Sequence, residues 1–406
     1  MLEGVNVALG VTGSIAAVKT VELAHELRRQ GADVRGVMTD SAQGIIHPWA
    51  VEFATDDDVV TEITGSVEHV DLCGYDGWAD VFLIAPATAN TVGKIAGAVD
   101  DTPVTTCATT ALGADTPVVI APAMHEPMYD HPGVLEAIDT VSEWGVDFVD
   151  PRLEEGKAKI ASEEAIVCDV ARAAGDRSLE GERVVVTSGA TAEAIDPVRV
   201  ITNRSSGKMG RAVARACYVR GADVTLVHGV VGPRPITGTG DSLEIDGDGN
   251  LPYATVRNVE SASEMLEATR EACADADALV SAAAIGDYTV EGSDEKIRSG
   301  QELSLALEPT PKLIDTIREE RPELPIVGFK TETSGDERAM IEQARTALER
   351  AGLAFVVAND ASVMGADRTT ALLVHAEDAA RYEGTKAGLA GEIADSIAAI
   401  GGDANG

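Results

Sequence analysis

The sequence predicts an α/β protein made of two Rossmann-like, three-layer domains, residues 1–175 and 176–406, the second built on a parallel sheet. Three observations carry that expectation. The chain has 406 residues, more than a single hydrophobic core usually serves. Short β-branched runs alternate with alanine-rich helical stretches, the pattern of parallel strands joined by crossover helices. The chain also repeats its own opening: Gly4-Val-Asn-Val-Ala-Leu and Gly31-Ala-Asp-Val are echoed by Gly181-Glu-Arg-Val-Val-Val and Gly221-Ala-Asp-Val. Each half therefore begins with a βαβ unit. The glycines are 27 residues apart in the first half and 40 in the second, so the second unit carries 13 extra residues. An insertion at the carboxyl end of a first strand lies where open α/β sheets bind ligands. The polar stretch Ala173 to Glu182, with Gly175-Asp-Arg-Ser178, marks the linker.

In the first half, Gly10-Val-Thr-Gly-Ser-Ile-Ala-Ala-Val-Lys19 joins strand to helix, and the free N–H groups of such a turn suit a phosphate. It has Gly10, Gly13 and then Ala16, which departs from the dinucleotide fingerprint and argues against a dehydrogenase. Val81-Phe-Leu-Ile-Ala-Pro-Ala-Thr-Ala-Asn90 runs a buried strand into a small-residue turn, and Gly93 to Gly97 continues on a helix. A third strand, Val118 to Ala121, ends in Pro122-Ala-Met-His-Glu-Pro-Met128. Three such strand ends on one parallel sheet form one crevice, suited to a planar cofactor with a phosphate tail.

In the second half, Arg183 to Thr187 reads as a buried strand and Arg211 to Arg220 as a helix. Between them lies Asp196-Pro-Val-Arg-Val-Ile-Thr-Asn-Arg-Ser-Ser-Gly-Lys-Met-Gly210. A polar loop that empties into a helix N-terminus offers N–H groups and the positive end of the dipole to an anion, and Arg199, Arg204 and Lys208 add charge. Ser205-Ser-Gly-Lys208 lacks the spacing of a Walker loop, so a nucleotide is held another way. The strand Ala278 to Ala282 leads into Ala283-Ala-Ile-Gly-Asp287-Tyr288. There Asp287 either caps a helix or reaches ribose or a magnesium ion.

The formal charge is −36 at 45% hydrophobic residues, enough for ordinary cores. So acidic a chain repels nucleic acid and anionic membrane, and it reads as a protein kept soluble in a salty cytoplasm where its self-repulsion is screened. Five cysteines without a CxxC pair argue against a disulfide framework or a zinc site. The N-terminus enters a strand pattern directly, and no uninterrupted apolar stretch reaches about 18 residues, so the expectation is a cytoplasmic protein without membrane contact.

The loop from Asp196 to Gly210 resembles the signature loop of phosphopantothenate–cysteine ligases, whose asparagine before the Ser-Ser-Gly-Lys-Met-Gly run is catalytic; here it is Asn203. That resemblance implies substrate binding by Arg199 and Lys208. It also implies nucleotide binding by Ser281, Ala282, Ala283, Asp287, Lys296, Thr310, Pro311, Lys312, Leu313 and Phe329, with Asp287 also on Mg2+. Residues 5 to 160 resemble the flavin-dependent cysteine decarboxylases, phosphopantothenoylcysteine decarboxylase in particular, through Ala-Pro-Ala-Thr-Ala-Asn90 and Pro122-Ala-Met124. This implies a flavodoxin-like flavoprotein domain with FMN lined by Ser14, Thr39, Thr88, Asn90 and Thr106. The family's essential histidine is His69, in Val67-Glu-His-Val-Asp71.

Three departures accompany the resemblance. His125 stands where the family commonly has a carboxylate-binding asparagine. The flap Glu155-Gly-Lys-Ala-Lys-Ile-Ala161 lacks the cysteine that bacterial relatives use to complete the reaction, leaving Lys159, or else Lys157, as proton donor. Two lysines of the ligases fall on Ala347 and Ala351, with Arg345 and Arg350 nearby as substitutes. The implied function is two steps of coenzyme A biosynthesis. CTP-dependent joining of 4'-phosphopantothenate and cysteine through an acyl-cytidylate precedes FMN-dependent decarboxylation of 4'-phosphopantothenoylcysteine; ATP is compatible with the same residues. The rivals are a flavin-binding regulatory or scaffold half fused to an active ligase, and a flavin prenyltransferase, which leaves the second half unused. The resemblance also implies a homo-oligomer of trimeric flavin domains and paired ligase domains, a dodecamer.

Overall fold

The computed structural model describes residues 1–154, 157–230, 251–298, 300, 302–332, 336–360 and 368–404. The flap residues Glu155 and Gly156 lie outside them. Two compact units emerge, Met1–Asp176 and Arg177–Gly406.

The first unit runs β1 (Asn6–Val11), α1 (Thr20–Arg29), β2 (Asp33–Met38), α2 (Asp40–Gln43), α3 (Pro48–Thr55), α4 (Glu68–Cys73), β3 (Val81–Ala87), α5 (Ala89–Ala96), α6 (Pro103–Gly113), β4 (Val118–Pro122), β5 (Met124–His125), α7 (Glu126–Tyr129), α8 (Pro132–Glu143), β6 (Asp147–Phe148), β7 (Arg152–Glu154), β8 (Lys157–Lys159) and α9 (Glu163–Ala174). Its main sheet is parallel in the order β2-β1-β3-β4-β6. β3 is buried at all seven positions, as a central strand covered on both faces must be. Phe82, Ile84 and Ile120 pack with Val104 and Cys107 of α6 into one core. The flap is a small antiparallel sheet, β5-β8-β7.

The second unit runs β9 (Arg183–Gly189), β10 (Ala192–Asp196), β11 (Arg199–Thr202), α10 (Lys208–Val219), β12 (Asp223–Gly229), β13 (Thr255–Val259), α11 (Ala262–Ala272), β14 (Ala278–Ser281), β15 (Tyr288–Val290), β16 (Leu307–Pro309), α12 (Leu313–Glu320), β17 (Ile326–Glu332), α13 (Glu337–Ala351), β18 (Phe355–Asp360), β19 (Arg368–Val374), β20 (Ala379–Thr385) and α14 (Lys386–Ala404). Its sheet has the order β13-β12-β9-β14-β17-β18-β19-β20. The first six strands in that order form the expected parallel sheet, and β19 and β20 extend it antiparallel at one edge. The few residues between Asp360 and Arg368 are too short for a crossover helix, so the chain returns antiparallel.

The internal echo is structural. α1 and α10 end alike, with Ala32 N donating to Leu27 O and Ala222 N to Cys217 O, both 3.1 Å. The intervening Gly31 and Gly221 have φ of 103° and 100°, a conformation that L side chains rarely adopt. The 13 extra residues are the β10–β11 hairpin and the loop after it. No helix among the described residues is long and apolar enough to cross a membrane.

Candidate functional site

In the first unit the carboxyl ends of β1, β3 and β4 are tied together by hydroxyl groups, and Thr39 N at the end of β2 donates to Val11 O of β1 (3.1 Å). Thr12 Oγ1 donates to Pro86 O (2.8 Å) and accepts from Thr88 N (3.2 Å), linking the ends of β1 and β3. Ser14 Oγ donates to Ala123 O (2.9 Å), linking β1 to the turn after β4. A Cβ on Gly13 would lie 2.5 Å from Ser41 Oγ, so only glycine lets this turn lie against the start of α2. Ser14, Thr39 and Thr88 each cap the helical segment that follows, accepting from Ala16 N, Ala42 N and Thr91 N. Side-chain capping satisfies one N–H and leaves the rest of the helix start polar and positive. A crevice lined this way fits an anionic tail on a flat cofactor.

Ser14, Thr39 and Thr88 are thus brought together. Asn90 is exposed in the first turn of α5. Thr106 is turned to its own helix, its hydroxyl donating to Asp100 O (3.0 Å) and Thr102 O (2.9 Å). His69 lies on α4, with Nδ1 enclosed and unpartnered. No hydrogen bond or ion pair among the described residues joins it to the strand-end turns. His125 pairs across the strands with Lys157, so the flap lysine and the histidine in the asparagine position sit opposite each other. His125 also precedes α7 without its side chain serving as a cap. Lys159 pairs with Arg152 on the flap's far edge.

In the second unit the signature segment is not a plain loop. Its first half forms the hairpin β10–β11, and the helix begins at Lys208 rather than Arg211. Gly207 has φ 71°, and a Cβ there would lie 2.9 Å from Gly189 N, His228 Cε1 and Ser188 Oγ. Ser188 Oγ donates to Gly207 O (2.9 Å), and Arg211 Nη1 donates to Ser206 O (3.0 Å), fixing the turn over the end of β9.

The hairpin reaches two further segments. Asn203 Nδ2 donates to Ala284 O (3.0 Å), in the loop after β14. That loop is held from below by Ala283 N to Thr187 Oγ1 (3.2 Å) and Gly286 N to Thr191 Oγ1 (2.8 Å). Thr310 closes it, donating from N to Asp287 O (3.0 Å) and from Oγ1 to Gly286 O. Lys312 Nζ meets the Asp287 carboxylate at 2.7 Å. Asp287 starts no helix, so its helix-capping role falls away. Asn203, Ala283, Asp287, Thr310, Pro311 and Lys312 therefore gather around one loop. Ser281 is buried at the end of β14, with Ala282 beyond it, and Phe329 lies half-buried on β17. Leu313 points into the core with Ile317 and Val356, so only its backbone faces that loop.

Asp196, Glu193 and His228 are residues the sequence reading missed. The Asp196 side chain is fully buried beside Arg199, whose guanidinium hydrogen bond holds its carboxyl well below the usual carboxylate range. Glu193 is buried, accepting from Ala262 N at the start of α11 and from Thr289 Oγ1, both 2.8 Å. His228 is 5% exposed with Nδ1 enclosed and unpartnered. Burial, and then the charge of Arg211, push it down to about 4. A histidine ending a buried strand directly before Gly229 was the one local signal for it.

Among the described residues no group of three or more His, Cys, Asp or Glu could hold a metal ion. A magnesium ion that arrives on nucleotide phosphates needs only one or two protein carboxylates, and Asp287 is the exposed carboxylate at this loop. Arg345 is exposed, and Arg350 lies 3.8 Å from Asp315.

Comparison with known proteins places both halves. Residues 1–175 match the family model described as "Flavoprotein", and residues 179–400 match "DNA/pantothenate metabolism flavoprotein C-terminal domain". The chain is 48% identical over 401 residues to the coenzyme A biosynthesis bifunctional protein CoaBC of Thermococcus kodakarensis, covering 98% of this chain and 95% of that one. It is 34% identical over 382 residues to the protein of the same name in Bacillus subtilis, covering 90% and 88%. The crystal structure of the DNA/pantothenate metabolism flavoprotein from Streptococcus pneumoniae is 25% identical, with a TM-score of 0.46, and covers 54% of this chain and 100% of that one.

Proposed function

The chain belongs to the family of coenzyme A biosynthesis bifunctional proteins, and on that premise we propose which of its residues carry the two reactions. It is a bifunctional enzyme of coenzyme A biosynthesis, with a decarboxylase step in its flavoprotein half and a ligase step in the other. We assign the decarboxylase to residues 1–175 and the ligase to residues 176–406, an assignment supported by the extents of the two family models. The observation that carries the proposal is that Asn203 is hydrogen-bonded to the loop holding Asp287 and Lys312, so the signature segment and the nucleotide segment form one site.

In the ligase, Lys208, Lys296 and Lys312 balance the phosphates of CTP, with Asp287 on the magnesium ion they carry. The carboxylate of 4'-phosphopantothenate attacks the α-phosphate and pyrophosphate leaves. The cysteine amine then displaces CMP, with Asn203 orienting the acyl-cytidylate. In the decarboxylase, bound FMN would supply the two-electron acceptor for oxidation of the cysteinyl thiol to a thioaldehyde and the donor for the final reduction. Ser14, Thr39 and Thr88 would hold its phosphate end, with Asn90 and Thr106 assigned to its lining by the family resemblance. His69 moves the thiol proton and His125 holds the carboxylate that leaves. A flap lysine, Lys159 or Lys157, returns the last proton. The cross-strand pairing of Lys157 with His125 favours Lys157.

The assembly belongs to the same proposal: trimeric flavin domains and paired ligase domains. Exposed Ile15, Val18, Trp49 and Phe53 on the first unit support a subunit contact there. The acidic composition and the substrates support a cytoplasmic, high-salt setting. The test is to incubate the purified chain with 4'-phosphopantothenate, cysteine, magnesium and CTP or ATP in turn, and to identify products by mass. Phosphopantothenoylcysteine and then its decarboxylated product, with CMP from CTP, are expected. Ligation without loss of carbon dioxide, in protein loaded with FMN, overturns the decarboxylase assignment and leaves the scaffold reading for that half.

A further inference from the structure

The buried carboxylate of Asp196 joins two stretches that lie 101 residues apart. Its Oδ1 accepts from Val198 N and Arg199 N, both 2.9 Å, closing the turn of the hairpin. Its Oδ2 accepts from Arg199 Nε (2.9 Å), from Arg199 Nη2, and from Ile297 N (3.1 Å). Arg199 Nη2 also donates to Ile297 O (2.6 Å). Ile297 is thus gripped at both its N–H and its carbonyl. Upstream, Ser293 N donates to Ile195 O (2.9 Å), and a Cβ on Gly292 would lie 2.9 Å from Ala194 O. The segment 292–297 therefore runs along β10 and ends in the Asp196–Arg199 clamp. Beside the clamped residue, Lys296 is exposed and makes no hydrogen bond or ion pair among the described residues.

We propose that Asp196 is a positioning residue of the ligase, which together with Arg199 holds the segment bearing Lys296 against the signature hairpin so that the lysine meets the nucleotide phosphates. This rests on the assignment of Lys296 to those phosphates. A lysine has four flexible side-chain bonds, so its catalytic value depends on the backbone from which it starts. A displacement of about 1 Å in such a group costs on the order of 10²-fold in rate. The clamp also changes the part played by Arg199. Nε and Nη2 are committed to Asp196 and Ile297, which leaves Nη1 as the end of that side chain able to face a substrate.

The test is a double-mutant cycle in the full-length protein, reading pyrophosphate release with cysteine omitted. Asp196→Asn keeps the shape but puts an amide N–H2 where one set of donors needs an oxygen. It should slow nucleotidyl transfer roughly 10- to 100-fold, while loss of carbon dioxide from added phosphopantothenoylcysteine is unchanged. Lys296→Ala should slow the same step, and the double variant should be no slower than Lys296→Ala alone. Multiplying effects in the double variant, or an Asp196→Asn rate equal to the parent's, would overturn the proposal. If Lys296→Ala itself is fully active, the assignment of Lys296 falls and the proposal with it. Should Asp196→Asn fail to fold, Ile297→Pro removes the gripped N–H and leaves the hairpin's own bonds intact. It should reproduce the loss, and a parent-like rate would again refute the role.

Discussion

His228 gives the second unit a specific sensitivity to acid. Its ring lies under the turn that starts α10, in contact distance of any side-chain carbon placed at Gly189 or Gly207, and its Nδ1 has no partner. The folded chain holds it down to about 4 against an ordinary value of 6.5, mainly by burial. The unfolded chain therefore takes up the proton first. Stability from keeping this ring neutral is whole above pH 6.5 and is lost progressively as the pH falls toward 4. Linkage between those two values gives a loss of about 2 kcal/mol from pH 7 to pH 5. The assay must report on the second unit, and tryptophan fluorescence does not, because Trp49, Trp78 and Trp144 all precede residue 177. Hydrogen exchange of peptides covering β9, α10 and β12 does. Exchange free energies at pH 7 and pH 5 are compared between the parent and His228→Asn at fixed ionic strength, so that the acidic groups common to both cancel. The variant is expected to be weaker at both pH values but to lose about 2 kcal/mol less between them. Equal losses, or an imidazole that titrates near 6.5 by NMR, would refute the reasoning.

Three further outcomes follow from the assigned residues. Asn203→Ala removes the donor to Ala284 O and should slow amide formation about 10²–10³-fold with acyl-cytidylate accumulating; quenched-flow mass analysis checks this, and unaltered decarboxylation is the control. His69→Asn should retain bound FMN by its visible absorbance while carbon dioxide release falls about 10²–10⁴-fold. Changing both Lys157 and Lys159 to Ala should leave carbon dioxide release intact but stop the reaction at the enethiol, seen by mass after acid quench. Complete turnover would assign the last proton to another group, with His125 the neighbour across the strands.

Much of the fold could be read from local pattern, since parallel strands are continuous apolar runs and their turns carry the capping hydroxyls. Ser14, Thr39 and Thr88 are implied by the family resemblance, and the capping position that each occupies after a buried strand was legible in the sequence. The hairpin was not. Ala192–Asp196 and Arg199–Thr202 are short, Pro197 interrupts them, and their pairing is fixed by a carboxylate whose other partner lies near residue 297. No period of two or 3.6 residues records such a contact. The sheet's antiparallel edge was not legible for a related reason. β18 and β19 are both apolar runs, and direction is set by the length of the connection rather than by composition.

The ligase site also shows how a chain of formal charge −36 handles an anionic substrate. Several of its cations are matched before any substrate arrives: Lys312 by Asp287, Arg199 by Asp196, and Arg350, more loosely, by Asp315. Paired cations attract a triphosphate less than their number implies, because each attraction is offset by a carboxylate within 4 Å. Lys296 is exposed and unpaired among the described residues, as are Arg204 and Arg345, and the Asp196–Arg199 clamp fixes the backbone from which Lys296 starts. The same argument gives the proposed magnesium ion its part. Carried in on the phosphates, the ion would be met by Asp287, whose negative charge otherwise opposes binding.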